Sequence, residues 1–127
     1  MLVASYAYSI GTCMNDERTE VLQGTLDLMI LKALAVLGPL HGYGIARRLE
    51  QISEDLLRLN EGTVYTALMR LQQRRWISSR SAASENNRKA KYYSITKTGL
   101  KQLDREMQKW ERSAGIIDRV LKLQSME

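Results

Sequence analysis

The chain carries one cysteine, Cys13, one histidine, His41, and one proline, Pro39, in 127 residues. A lone cysteine excludes an intrachain disulfide and fits a reducing compartment, while leaving an intermolecular bridge open. One histidine and one cysteine do not supply a His/Cys metal site within one chain. The same scarcity leaves no Ser/His/Asp or Cys/His catalytic set. No phosphate-cradling glycine loop is present either, so the sequence does not read as an enzyme and calls for no cofactor. No apolar run reaches the ~18 residues of a membrane span. The opening MLVASYAYSIGTC has no basic start and is too short and broken for a secretion signal, so a cytoplasmic protein is expected. One proline and eight glycines fit a mostly helical chain with few loops. There is no internal repeat and no low-complexity segment.

What is present is a globular composition, 44% hydrophobic, at a length that suggests one domain with a real core. The net charge is +5, and the positive residues are unevenly placed. Between Leu68 and Lys91 stand Arg70, Arg74, Arg75, Arg80, Arg88, Lys89 and Lys91, against only Glu85. A basic stretch of this kind favours nucleic acid or an anionic surface as partner.

Residues 1–20 divide into an uncharged start and the polar NDERTE. Two readings stay open: a start at Met14, or an N-terminal helix that packs on a partner chain. The Cys13 thiol reads as inert. Residues 25–37 form the first firm helix, with Thr25 as N-cap, Asp27 suiting the helix dipole in the first turn, and Gly38-Pro39 as the stop. This helix is apolar on nearly every face, so one side should meet the chain's own core and another a second subunit. HGYG (41–44) reads as a tight turn, with His41 capping or filling it. The helix that follows, GIARRLEQISEDLL, should turn Ile45, Leu49, Ile52 and Leu56 inward. Arg47 and Arg48 fall outside that face, and Glu50, Glu54 and Asp55 lie on a solvated one.

A third helix begins after Asn60, a good N-cap. Val64, Ala67, Leu68 and Leu71 make its apolar face. The opposite face carries Gly62, Thr66, Met69, Arg70 and Gln73, flanked by Thr63 and Tyr65. It is slim and polar at its start and basic further along. Residues 76–82 and 90–95 read as strands of a hairpin, with Tyr93 and Ile95 inward and Tyr92 and Ser94 outward. ASENNRK forms the loop between them. Thr96 caps a last helix in which Leu100, Leu103, Met107, Trp110, Ala114, Ile117 and Leu121 recur at spacings of three and four, a heptad seam for helix pairing. Ile116, Val120 and Leu123 add a second stripe. Gly115 costs about 1 kcal/mol relative to alanine and marks a bend or a close crossing.

Three short helices, a hairpin and a long terminal helix give the expected fold: mainly α with a small β-hairpin, a winged helix-turn-helix followed by a dimerisation helix. Residues 1–20 are the arm or a mis-assigned start, 21–96 the DNA-binding domain and 97–127 the dimerisation helix. A helix with a slender polar N-terminus fits the major groove, and basic residues beyond it meet phosphates. The expected DNA contacts are Gly62, Thr63, Tyr65, Thr66, Arg70, Arg74, Asn87, Arg88, Lys89 and Lys91. Blander readings stand beside them: Arg70 and Arg74 as a solvated face, Tyr65 as a core-edge aromatic, Asn86 and Asn87 as turn formers, Trp110 as seam packing. Two other functions remain open, a winged-helix adaptor for an acidic protein and a non-specific architectural DNA binder.

LQGTLDLMILKAL (22–34), HGYGIARRL (41–49), NEGTVYTALMRL (60–71) and NNRKAKYYSITKTG (86–99) resemble the PadR-like transcriptional regulators, in the short subfamily with a single C-terminal helix. The most specific elements are Gly62-Thr63-x-Tyr65 and Tyr93-x-Ile95-Thr96-x-x-Gly99. The resemblance implies a bacterial repressor that binds operator DNA as a homodimer, with the C-terminal helix packed against the partner's first helix. It implies DNA contacts by Thr63, Tyr65, Arg88 and Lys89. It also implies that Trp110 stacks on a flat aromatic effector at the dimer interface. The chain departs from the pattern at Thr66, where many relatives have proline, and at Arg75-Trp76, where relatives usually have a glycine before the first wing strand.

Overall fold

The structure is a computed structural model that describes residues 11–83 and 86–125, with residues 11–23 described as backbone only. The expectations for residues 1–10, for the Cys13 thiol and for Glu85 lie outside what is described. The elements run α1 (Gly11–Leu37), β1 (Leu40–His41), α2 (Gly42–Ile52), α3 (Glu61–Gln73), β2 (Ile77–Ala83), β3 (Lys89–Ile95) and α4 (Lys97–Leu121).

Helix α1 is continuous from Gly11 through position 21 and ends where Gly38-Pro39 stops it. Gly38 takes φ +82 and donates its N–H to the Leu34 carbonyl at 3.2 Å, closing the last turn in the left-handed conformation glycine accepts. Thr25 is therefore no N-cap and Asp27 is not in a first turn; both lie well inside the helix. Their helical propensity gave no warning, because a capping residue and an interior one look alike when the apolar pattern begins beside them. Leu26, Ile30, Leu31, Ala33 and Leu34 are buried, whereas Val36 and Leu37 are exposed.

His41 serves two elements. Its backbone pairs with Tyr92 in the two-residue strand β1, and its Nδ1 accepts the Gly44 N–H at 2.9 Å as the N-cap of α2. The helix thus starts at Gly42, inside the segment that reads as a turn. Ile45 and Leu49 point inward, but Ile52 and Leu56 are exposed, at 68% and 91%. The reason is local. Ser53 caps the helix C-terminus, and Glu54 and Asp55 follow with φ of 54° and 63°. Helical spacing carried past Ser53 to Leu56 has no meaning once the chain leaves the helix, and Ile52, the last residue of α2, stands at that exposed end. Glu54 and Asp55 consequently belong to the connection, and the Glu50 carboxylate accepts the Leu59 N–H at 3.3 Å, tying that connection back to α2.

β1, β3 and β2 form one antiparallel sheet in that order. Ser79 faces Tyr93 and Ile77 faces Ile95, so the inward positions of both hairpin strands coincide. Tyr93 is buried and Ile95 packs against the core. The core joins the inner faces of α1, α2 and α3 to this sheet and to Leu103 of α4, with Met107 packed at its edge. Helix α4 passes through Gly115 without a break, and a Cβ there would meet nothing within 4 Å, so the glycine marks no close crossing among the described residues.

Candidate nucleic-acid interface

Helix α3 is held by its apolar face. Val64, Ala67, Leu68 and Leu71 are buried, as their spacing requires. Asn60 caps it, its Oδ1 accepting the Gly62 N–H at 2.7 Å. Burying those four side chains fixes which residues face water: Gly62, Thr63, Tyr65, Thr66 and Met69 are all exposed. The Thr66 hydroxyl donates to the Gly62 carbonyl at 2.8 Å within a continuous helix, so position 66 keeps a regular helical turn. The first two turns of α3 therefore present a narrow, mostly polar ridge.

The basic residues beyond that ridge are not equivalent. Arg70 is turned toward α1. Its Nη2 lies 2.7 Å from Asp27 Oδ1 and its Nε donates to Oδ2 at 3.2 Å, a bidentate pair in which the side chains are 23% and 13% exposed. Arg74 caps the end of α3 and places its guanidinium 5.1 Å from the centre of the Trp76 ring. Arg75 takes φ +63, a left-handed conformation that favours glycine, and its N–H donates to the Gln72 carbonyl while the Trp76 N–H donates to the Leu71 carbonyl. The turn keeps the geometry of a glycine C-cap without the glycine.

The wing supplies exposed positive charge. Asn87 turns the hairpin with φ +60, and Asn86, Arg88, Lys89 and Lys91 are exposed around it. Between wing, α3 and the start of α2 lies an open cleft of about 1020 Å³ whose lining includes Tyr43, Arg47, Arg48, Tyr65, Lys91 and Tyr92. Among the described residues no carboxylate lines it. Arg47, Arg48 and Lys91 enter no ion pair among the described residues. The His41 ring stacks on Tyr43 at 6.3 Å and meets Tyr92 edge-on at 5.5 Å, which stiffens the rim. Burial, and then the neighbouring Tyr65 phenol, push the Tyr93 phenol above its ordinary pKa, so that ring stays neutral beside the cleft.

The structure thus brings Tyr65 and Lys91 together in the lining of the cleft, leaves Gly62, Thr63 and Thr66 exposed on the same helix as Tyr65, and holds Asn87, Arg88 and Lys89 exposed around the hairpin turn. It sets Arg70 and Arg74 apart in contacts of their own. Sequence reasoning missed Tyr43 and left Arg47 and Arg48 unassigned. A signal existed, since Tyr43 and Arg47 are four residues apart and share one face of α2.

A three-helix core in which α2 and α3 form the helix-turn-helix, with a hairpin beside α3, is a winged helix-turn-helix domain. The comparisons narrow this class. Residues 30–105 match the Transcriptional regulator PadR-like family, and the chain belongs to it. A transcriptional regulator from Clostridium thermocellum superposes with a TM-score of 0.73 at 29% identity, covering 81% of this chain and 99% of that one. A PadR-like transcriptional regulator from Bacillus cereus gives 0.69 at 28% identity over 83% and 99%. An uncharacterized protein from Lysinibacillus sphaericus is 28% identical over 101 residues, 80% of this chain and 92% of its own length. The family is one of DNA-binding transcriptional regulators, not of enzymes. Among the described residues no helix is long and apolar enough to cross a membrane.

Proposed function

We propose that the chain is a homodimeric repressor of the bacterial cytoplasm that binds an inverted-repeat operator. The observation that carries this reading is the polar ridge of α3 beside a cleft lined by Arg47, Arg48 and Lys91. The ridge enters the major groove, where Gly62, Thr63, Tyr65 and Thr66 meet base edges and the adjoining backbone. Asn87, Arg88, Lys89 and Lys91 of the wing, together with Arg47 and Tyr43, hold the flanking phosphates.

Support for the dimer comes from α4, where Trp110, Ile117 and Leu121 of the seam are more than half exposed and Ala114 lies between them. Val36 and Leu37 at the end of α1 offer a matching apolar surface. In this reading α4 of one protomer covers α1 of the other, and Trp110 lines an interface where a flat aromatic effector can stack.

The test is fluorescence anisotropy on labelled DNA from the gene's own upstream region, with excess random competitor and at two salt concentrations. Tight, competitor-resistant binding that weakens steeply with salt is expected. Binding abolished by competitor would favour a non-specific architectural role. No binding at low salt would favour an adaptor for an acidic protein.

A further inference from the structure

Among the described residues two ion pairs are present. One is the exposed Asp118–Lys122 pair within a single helix, and the other joins Asp27 of α1 to Arg70 of α3, 43 residues apart in sequence. We propose that Asp27–Arg70 is a positioning strut that sets the recognition helix on the body of the domain, and that Arg70 is not one of the phosphate contacts. The inference rests on α3 being the DNA-reading helix.

The geometry favours a strut. A bidentate arginine–carboxylate pair fixes orientation as well as distance, because two parallel N–H···O bonds define a plane. Both side chains are largely shielded from water, so the pair is less screened than a surface bridge. Asp27 lies between the buried Leu26 and the half-buried Leu28, on the helix that carries the exposed Val36 and Leu37. A link from Asp27 therefore registers α3 against α1, and in the dimer against the surface that sets the spacing of two reading heads. Reaching for a phosphate would cost Arg70 this partner and leave a shielded carboxylate unpaired. Among the described residues Arg47, Arg48 and Lys91 have no such partner to lose.

The two roles predict opposite signs for one substitution. Asp27→Asn raises the net charge of +5 by one, so electrostatics alone would tighten DNA binding. A phosphate-seeking Arg70 released from Asp27 would tighten it further. Loss of a strut loosens it. The experiment compares the wild type with Asp27→Asn, Arg70→Gln and the double variant, at a temperature where melting curves show all four folded. The probes are a duplex enriched by the wild type from a random library and an unrelated duplex.

For a strut, each single variant loses roughly tenfold on the enriched duplex, and the double variant is no worse than either single one. The unrelated duplex is bound as before, and the slope of log K against log salt is unchanged. The strut is overturned if Asp27→Asn tightens binding, or if Arg70→Gln lowers the salt slope by about 0.9, the signature of one lost phosphate contact. Hydrogen exchange in the free dimer decides independently. The α3 amides exchange faster in both single variants if the strut holds, and an unchanged rate refutes it. If the wild type enriches no duplex, the DNA-reading proposal has failed, and the exchange data alone still judge the strut.

Discussion

The α-carbon of Gly99 lies against the carbonyl of Trp76, so that any Cβ at position 99 would overlap the carbonyl oxygen and press on Ile95. The contact is where α4 docks on the turn between α3 and the wing. Thr96 completes it: its N–H donates to the Trp76 carbonyl at 3.0 Å, and its Oγ1 lies 2.8 Å from the Arg75 carbonyl while accepting the Gly99 N–H. The Thr96-x-x-Gly99 spacing thus has a steric cause. Because the obstacle is backbone, it cannot swing away as a side chain would. Gly99→Ala should cost about 3 kcal/mol and lower Tm by about 10 °C. A thermal melt within a degree or two of wild type would show that α4 docks differently.

Arg75 should answer to the opposite change. The left-handed conformation costs a non-glycine residue about 1–2 kcal/mol, and the extra freedom of glycine in the unfolded chain returns about 0.5–1. Arg75→Gly should therefore stabilise the protein by about 0.5–1 kcal/mol, read as a higher urea midpoint at unchanged m-value. A lower midpoint would mean that the arginine side chain contributes more than its backbone strain costs.

The wing is expected to act through charge and α3 through fit. Arg88→Ala should reduce the slope of log K against log salt by about 0.9 and weaken all duplexes alike. Tyr65→Ala should cost about 1–3 kcal/mol on the preferred duplex alone, with the slope kept. Titrations at several salt concentrations separate the two effects, and equal behaviour of the two variants would dissolve the division of labour.

The seam is best tested away from the domain core. Met107 packs against the chain's own buried cluster, so charging it would damage the monomer as well. Ile117 is 58% exposed and lies on the same seam. Ile117→Glu should give a folded monomer in sedimentation velocity. A persisting dimer would place the interface elsewhere.

Much of this was legible because the relevant signals are local. Asn60 and Thr96 announce their helices by side-chain capping, and both cap as expected. Val64, Ala67, Leu68 and Leu71 are buried because a single unbroken helix keeps its phase. Leu56 misleads for the converse reason, since the same periodicity does not continue across the helix end at Ser53, and Ile52 is the last residue before that end. Strand β1 has only two residues, too few for any alternation to show. The start of α1 is equally silent, because Thr25 inside a helix and Thr25 at its cap are the same letter. The engagement of Arg70 was out of reach, for its partner lies in another element. Arg47 was within reach, but α2 had to be seen beside the wing before its outer face meant anything.

Helix α4 carries a last consequence. At 25 residues it is a rod of about 37 Å. Leu103 is buried in the domain, whereas from Trp110 onward the rod is exposed nearly throughout. A helical stretch without tertiary packing is marginal in water. In the proposed dimer the outer turns should therefore fray on dilution and firm up when the partner covers them, so that the helicity of the protein becomes a gauge of its own concentration.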